Sequence, residues 1–479
     1  MANPEHVRLL STHTWNDWRK SNPSTSPDLV GADLSGKDLS GKDLSQAHLT
    51  NATLVDSKLV QTDLSGAILT GAKLQGTRFH KSRMENIQLD YAELPQMDFT
   101  GADLKGALLR YAVLTGSNFS ASNLTNANLD GADLADTNFS VALLENASLR
   151  GATLTRANFF DANLKKTSFE NANGAGANFM KASLTETTFN EARFPKSRWE
   201  GVFITQCTFK QADLTEAIFA QSQISGSIFD FIVAPRADFN KAKIAKSYFR
   251  NAQLGRMKIG NADIDDCAFS GAMMEETDFR FARLNNCNFV QANLKSCLLF
   301  KVSWSDFSLD FADLSSADCR EIVFDRCTFR QSKLTETNFR KGQLRNCDFS
   351  EADAKAADFG GALLSLCNFC QANLTEADFR FAILIGANLR RANLKHADLT
   401  CADLREAQLA SANFWGASLK KAQIGGSSRM AVAPFVVLGK LFFPLQKHFR
   451  KRKVRKDILK QQRTEQLLEK VTTTKTLKS

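Results

Sequence analysis

Apolar residues recur at every fifth position of this chain, from Leu29 to Ile424, without a shift of register. Leu, Phe, Ile, Met or Trp occupies nearly all of the 80 central positions of this repeat. A small residue lies two positions before each centre, and Asp or Asn often stands between them, as in Ala102-Asp103-Leu104. A repeat that covers most of the chain determines its architecture, so it predicts one elongated repeat domain.

A five-residue period fits neither an α-helix nor a flat β-strand. In a helix, a step of five residues drifts by roughly 140° from one apolar side chain to the next. In a strand, side chains alternate between the two faces, so centres five residues apart would point in opposite directions. If the chain turns once per repeat, the small residue and the centre both point inward. The pattern therefore predicts a coil whose sides are each one repeat long.

The placement of Phe and Cys predicts four sides per coil. Phe occupies 22 of the 40 centres whose numbers end in 9 but only three of those ending in 4, so Phe would stack on two opposite walls. The cysteines whose numbers differ by multiples of 20 are Cys207, Cys267, Cys287, Cys327, Cys347 and Cys367. Pro95, Pro195 and Pro235 share one corner at the same spacing, where a fixed φ suits a turn. We predict a square β-solenoid of about 20 coils, roughly 95 Å long at the usual strand spacing.

Units such as Ala32-Asp33-Leu34 resemble the motif of the pentapeptide-repeat family, which is a small residue, Asp or Asn, Leu or Phe, and two variable positions. The resemblance covers residues 29–424. It implies an all-β fold, a right-handed quadrilateral β-helix. Because the family shares a fold and no single function, the resemblance leaves the function open.

The two ends of the solenoid need caps, because unpaired backbone there invites end-to-end association. We predict three parts: a helical cap at 1–28, the solenoid at 29–425 and a tail at 426–479. Within the cap, Pro4 suits a helix start over residues 4–19. The residues expected on one helical stripe there are Val7, Leu10, Trp15 and Trp18.

The formal net charge of +10 is concentrated in the tail, where residues 426–479 carry 14 Lys/Arg and three Asp/Glu. An apolar segment at 430–445 precedes a basic cluster at 447–456, and a helical stretch follows. The tail could close the last coil, contact an anionic membrane surface, or bind nucleic acid or a partner helix. The candidate membrane or polyanion contacts are Phe435, Leu441, Phe442, Phe443, Arg450, Lys451, Arg452 and Lys453.

No constellation of catalytic residues stands out, and the six histidines show no metal-ligand spacing. Gly174 and Gly176 look like part of a phosphate loop, but Gly174 occupies a centre and belongs to a wall, where Phe194 would fill its space. Inward cysteines are expected to act as small buried residues. The chain is thus predicted to be no enzyme and to hold no cofactor or metal. The first 20 residues lack the apolar core of a secretory leader, which favours the cytoplasm, although export without such a leader stays open.

Surface columns are the expected place for function. The candidate interface residues are Arg280, Phe281, Arg320, Arg340, Arg380 and Phe381, since Arg and aromatic residues favour interfaces. A solvated face with ion pairs to residues such as Asp278 is the alternative. The leading hypothesis is a non-enzymatic scaffold that binds a protein partner, of open oligomeric state. The alternative is a membrane-associated or secreted bacterial effector anchored by the tail.

A third hypothesis follows from the resemblance, because some family members mimic DNA and protect or inhibit topoisomerases. Such mimicry needs a strongly negative surface. The solenoid carries 44 basic and 45 acidic residues, so its charge is nearly balanced. DNA mimicry is therefore the least favoured of the three functions, and nucleic acid is not the expected partner.

Overall fold

The structure is a computed structural model that describes residues 2–425. Its backbone pairs each wall residue with the residue 20 positions later, always in parallel. Four such ladders begin within one coil, and they start with the pairs Asp28↔His48, Asp33↔Thr53, Asp38↔Lys58 and Asp43↔Asp63. The 20-residue turn and the four walls confirm the predicted quadrilateral β-solenoid.

One wall is extended enough to form strands of two or three residues, and we call it the strand wall. The strands are β1 Ser183–Thr185, β2 Phe203–Thr205, β3 Gln223–Ser225, β4 Lys243–Ala245, β5 Asp263–Asp265, β6 Arg283–Asn285, β7 Ser303–Ser305, β8 Val323–Asp325, β9 Gln343–Arg345, β10 Asp403–Leu404 and β11 Gln423–Ile424. Strands β1 to β9 form one parallel sheet in chain order, and β10 pairs with β11.

Most corners are β-turns that begin at a centre. At Leu29, the carbonyl oxygen accepts a hydrogen bond from the amide of Ala32, 3.0 Å away. The residue two places after the centre takes a left-handed conformation, as Gly31 does with a φ of +69°. A turn with positive φ at its third residue is of type II, which glycine adopts without strain.

The strand wall closes its corners with side chains. Ser227 lies in the small inward position, and its hydroxyl donates to the carbonyl oxygen of Ser225 at 3.0 Å. Its amide donates to the hydroxyl of Ser247 at 3.2 Å. The thiol of Cys267 donates to the carbonyl oxygen of Asp265 at 3.3 Å in the same way. Small hydroxyl and thiol residues in this column therefore accompany the extended strands.

Two stacks of phenylalanine rings fill opposite walls, as the sequence predicted. Phe139 and Phe159 stack with centroids 4.9 Å apart on one wall. Phe169 and Phe189 stack at 4.6 Å on the opposite wall, and the two stacks meet edge to face where Phe159 contacts Phe169 at 5.5 Å. All of these rings are fully buried. The interior is therefore a continuous dry core with close aromatic packing.

Where Asp or Asn precedes a centre, its side chain can form hydrogen bonds that stabilise the corner. Asn138 accepts a hydrogen bond from the amide of Ser140 at 3.1 Å, and its own amide donates to the side chain of Asn118 at 3.0 Å. Asn158 donates in turn to Asn138 at 3.0 Å. Such side-chain bonds to the backbone two residues on are typical of Asx turns. The repeat therefore uses Asp and Asn to fix its corners and to connect its coils.

The N-terminal segment forms two helices rather than the single helical segment expected over 4–19. Helix α1 spans Pro4–Leu10 and helix α2 spans Trp15–Ser21. Helix α1 ends because the amide of Ser11 turns back to the carbonyl oxygen of Arg8 at 3.2 Å. The hydroxyl of Thr12 also caps the carbonyl oxygen of Leu9 at 2.7 Å. The local polar residues therefore break the helix that the apolar stripe alone predicted.

Both helices pack onto the start of the solenoid. Trp15 is fully buried, and its indole nitrogen donates to the carbonyl oxygen of Asp43 at 2.8 Å. Arg19 is also buried and donates to the carbonyl oxygen of Ser45 at 3.0 Å. These contacts give polar backbone groups of the first coil partners from α2.

Candidate interaction surface

Four of the predicted arginines share one corner of the solenoid, which we call the Arg corner: Arg280, Arg320, Arg340 and Arg380. Each guanidinium contacts a carboxylate of the neighbouring wall. Arg280 binds Asp278 at 2.8 Å and Arg320 binds Asp318 at 2.7 Å. The arginines therefore lie together as predicted, and they also form the ion pairs that the alternative interpretation expected.

The carboxylate of Asp278 binds both the backbone and the side chain of Arg280. It accepts from the backbone amide of Arg280 at 3.1 Å and from its guanidinium Nε at 2.9 Å. This hydrogen bond raises the pKa of Arg280 above its ordinary value. The same residue that fixes the corner thus also fixes the direction of the arginine side chain.

Aromatic side chains are exposed beside the Arg corner. Phe281 is 55% exposed and Phe381 is 66% exposed, each at the left-handed position of its turn. Phe300, which the predicted site omitted, lies between two of the arginines, and the guanidinium carbon of Arg320 is 5.5 Å from its ring centroid. The sequence signal for Phe300 is its position in the same 20-residue column.

A second group of exposed aromatic residues lies on the diagonally opposite corner, and sequence reasoning missed it. Phe231 and Phe311 are each about half exposed there. Each follows an aspartate that binds an arginine of the next coil, as Asp230 binds Arg250 and Asp310 binds Arg330. The signal was present as Asp followed by an aromatic residue, with Arg 20 positions later. We use this corner below as a matched comparison.

Across residues 2–425, no group of three or more His, Cys, Asp or Glu side chains could hold a metal ion. A shallow groove of about 300 Å³ lies on the strand wall, lined in part by Phe203, Lys243 and Asp263. No helix within this part of the chain is long and apolar enough to cross a membrane.

All ten cysteines are free thiols, and eight of them are buried. Burial raises the pKa of Cys207 to about 11 and that of Cys267 to about 12. A thiol with a raised pKa carries little thiolate at neutral pH and is a poor nucleophile. The cysteine column therefore belongs to the core, where its thiols also donate hydrogen bonds.

The tail contacts predicted from Phe435 to Lys453 lie outside the described residues. They stay predictions.

A parallel four-walled solenoid with a continuous core defines a repeat protein of the β-solenoid class. The family profile described as Pentapeptide repeats (8 copies) matches residues 28–66, 52–86, 67–106, 102–140, 262–299, 312–351, 355–391 and 387–423. The profile described as Pentapeptide repeat region matches residues 122–199 and 202–279. The chain belongs to the pentapeptide-repeat family.

Solved structures of the same family are similar to parts of this chain. HetL, a pentapeptide repeat protein involved in heterocyst differentiation regulation in the cyanobacterium Nostoc, aligns with 48% of this chain and 88% of its own, at 25% identity and a TM-score of 0.21. A protein from the Arabidopsis thaliana thylakoid lumen aligns with 31% of this chain and 69% of its own, at 27% identity and a TM-score of 0.13. No curated protein sequence matches the chain.

A third similar structure is full-length QnrB1, described as a plasmid-mediated fluoroquinolone resistance protein. It aligns with 40% of this chain and 98% of its own, at 16% identity and a TM-score of 0.22. The likeness to these structures assigns this chain no partner.

Proposed function

We propose that this protein is a non-enzymatic scaffold that binds a protein partner along the Arg corner. The observation that carries the proposal is the exposure of Phe281 and Phe381, at 55% and 66%, at the two ends of a column of arginines. Exposed aromatic residues beside arginines are typical of binding hot spots. A continuous core behind them gives the surface a fixed shape.

The repeat sets the spacing of this surface. Phe281 and Phe381 are five coils apart, which is roughly 24 Å at the usual strand spacing. Between them the arginines are held by carboxylates, as Arg320 is by Asp318. The matching partner would have two apolar pockets at that separation, with carboxylates or carbonyl groups between them to accept hydrogen bonds from the guanidinium groups.

Preorganisation supports the use of these arginines in binding. Asp278 already binds the guanidinium of Arg280, and Asp318 binds that of Arg320. These arginine side chains have therefore lost part of their rotational freedom before the partner arrives. Binding then costs less ordering of side chains, because each mobile side chain would otherwise lose entropy at the interface. The near balance of charge along the corner also argues against a purely electrostatic ligand such as nucleic acid.

Affinity purification of the full chain from its native cells, followed by quantitative mass spectrometry, tests the proposal. We expect Phe281→Ser combined with Phe381→Ser to reduce recovery of the specific partner at least about tenfold, since each aromatic hot spot contributes roughly 2 kcal/mol. Arg320→Glu combined with Arg340→Glu should have a similar effect. Circular dichroism and thermal melting should match the wild type in both variants.

The diagonal corner supplies the matched control. Phe231→Ser combined with Phe311→Ser removes two phenylalanines of similar exposure from the opposite side of the rod. This control should keep wild-type recovery of the partner. Equal losses from both pairs, or no loss from the Phe281 and Phe381 pair, would contradict binding at the Arg corner.

A further inference from the structure

The C-terminal end of the solenoid carries unpaired positive charge on three of its four corners. The residues are Arg390, Arg391, Lys395, Lys420 and Lys421, and we call them the terminal rim. All but the half-buried Lys395 are exposed. Within residues 2–425, none of the five forms an ion pair with a carboxylate. On the fourth corner, Arg405 is bound by Asp403 at 2.7 Å.

The opposite end of the rod carries no such excess of basic residues, because residues 1–47 contain five Lys/Arg and six Asp/Glu. The four wall positions of the first coil are all aspartates, namely Asp28, Asp33, Asp38 and Asp43. Hydrogen bonds from Ser35 lower the pKa of Asp33, and those from Ser40 lower the pKa of Asp38, so both stay ionised. Lys37 and Lys42 lie in the same coil, and Arg19 of α2 pairs with Asp43 at 3.5 Å, so the charge of this end is nearly balanced.

An exposed tryptophan lies beside the rim. Trp415 is 50% exposed, whereas Trp15, Trp199 and Trp304 are buried in the interior. The ammonium group of Lys395 lies 4.7 Å from the centroid of its ring, in a cation–π contact. An indole with an apolar body and a polar edge is the side chain that most favours the boundary between lipid and water.

The chain also leaves the described solenoid at this end. Gly425 precedes a segment with 14 Lys/Arg and three Asp/Glu over residues 426–479, in which apolar residues come before the basic cluster. The excess charge of the tail therefore has the same sign as the terminal rim, and the two are adjacent in the chain.

We propose that the rod docks end-on to an anionic lipid bilayer, with the terminal rim facing the headgroups and Trp415 at the interface. A charge ring around the end of a rod suits a planar surface, whereas a nucleic acid would be better matched by a stripe along the rod. The first coil, which lacks an excess of basic residues, would then point away from the membrane. This orientation would leave the long walls, including the Arg corner, accessible to other proteins.

Vesicle co-sedimentation with the full chain tests this orientation. We expect binding to phosphatidylcholine vesicles containing phosphatidylserine, none to phosphatidylcholine alone, and weaker binding as salt rises. Replacing Arg390, Arg391, Lys420 and Lys421 with Gln should weaken binding about tenfold or more, since each basic residue near the surface contributes to attraction. The fluorescence of Trp415 should be quenched by bromolipids, and Trp415→Phe should remove that signal.

A matched control removes the same charge from the middle of the rod. The side chains of Lys241, Lys243, Lys246 and Lys258 are exposed, and all four can be replaced with Gln. This control should retain binding within about twofold of the wild type, because these groups lie further from the membrane than a Debye length. Equal loss from both quartets would mean that net charge alone acts, and would overturn end-on docking.

Three other results would also overturn the proposal. Unchanged vesicle binding by the rim variant would assign the attraction to the tail alone. Tighter rim-dependent binding to a DNA duplex or RNA than to vesicles would assign the end to nucleic acid. Rim-dependent self-association in the absence of vesicles would mean that the basic end contacts a second copy of the chain.

Discussion

The ring of Phe194 occupies the space that a side chain on Gly174 would need. A Cβ atom built on Gly174 would lie 2.0 Å from Cε1 of Phe194, closer than any real carbon contact. The two residues are 20 positions apart in one wall, so the absence of a side chain in one coil accommodates a larger ring in the next. Here a glycine is required by packing and not by its backbone conformation.

Exchanging the sizes of these two residues tests that relationship. Gly174→Leu alone should destabilise the protein by about 3 kcal/mol or more, because overpacking forces neighbouring side chains and backbone to move. Phe194→Leu alone should cost roughly 1 kcal/mol through a cavity. The double variant should be more stable than Gly174→Leu, as measured by urea unfolding. Simple additivity of the two effects would contradict direct contact.

The asparagine ladder predicts an asymmetry between two similar positions. Asn138 makes three hydrogen bonds, to Ser140, Asn118 and Asn158, so Asn138→Ala should cost about 2 kcal/mol by leaving partly buried groups unpaired. Asn128 accepts from the amide of Asp130 at 3.0 Å, and Asn128→Ala is the matched control. Its cost should be clearly smaller in urea unfolding. Equal costs would mean that connections between coils add little to stability.

Much of the fold could be predicted because the repeat restricts every position at once. An unbroken period of five with Phe on alternate centres is enough to specify four walls, and stacks such as Phe139 on Phe159 confirm it. The burial of Cys267 in the small inward position also followed from the period. Each coil repeats the environment of its neighbours, so one local rule applies along the whole rod.

The details that escaped prediction depend on contacts between columns. The thiol of Cys267 replaces a turn hydrogen bond on the strand wall, which its small size alone did not indicate. The break between α1 and α2 depends on the hydroxyl of Thr12. On the surface, the choice of half-exposed residues such as Phe231 is less constrained, because they are not packed into the core. Sequence patterns therefore locate the core better than the binding surface.

Asp358 should make the free energy of unfolding depend on pH. Burial raises the pKa of its carboxyl group, so the folded state binds a proton more readily than the unfolded state. Its carboxylate therefore reduces stability at neutral pH, and the penalty disappears as pH falls through the folded pKa. Asp358→Asn should raise the urea midpoint at pH 7. The corresponding gain in the free energy of unfolding should be less than about 1 kcal/mol, because solvent screens the site. The gain should shrink at pH 4.

Asp306 provides the opposite case within the same experiment. The hydrogen bond from Arg326 lowers the pKa of its carboxyl group, so the ionised form favours the folded state. Asp306→Asn should therefore lower the urea midpoint at pH 7, and the loss should fade as pH falls from the unfolded pKa through the lower folded pKa. A gain in stability from both variants, or from neither, would contradict these assignments.

Thiol reactivity should separate the cysteines into two groups. Cys370 and Cys401 are partly exposed, and the other eight are buried. In the native protein at pH 8, Ellman's reagent should therefore titrate at most these two thiols rapidly. The buried group should react only after unfolding in guanidinium, because burial removes access and raises the pKa of thiols such as Cys267 to about 12.

Variants can assign that reaction to individual thiols. Cys370→Ser combined with Cys401→Ser should abolish the rapid phase and leave the stability nearly unchanged, since both side chains lie at the surface. Cys267→Ala should leave the rapid phase intact but lower the urea midpoint, because it removes the thiol that donates to Asp265. Rapid labelling of more than two thiols in the native protein would show that the interior opens, and would contradict a continuous, tightly packed core.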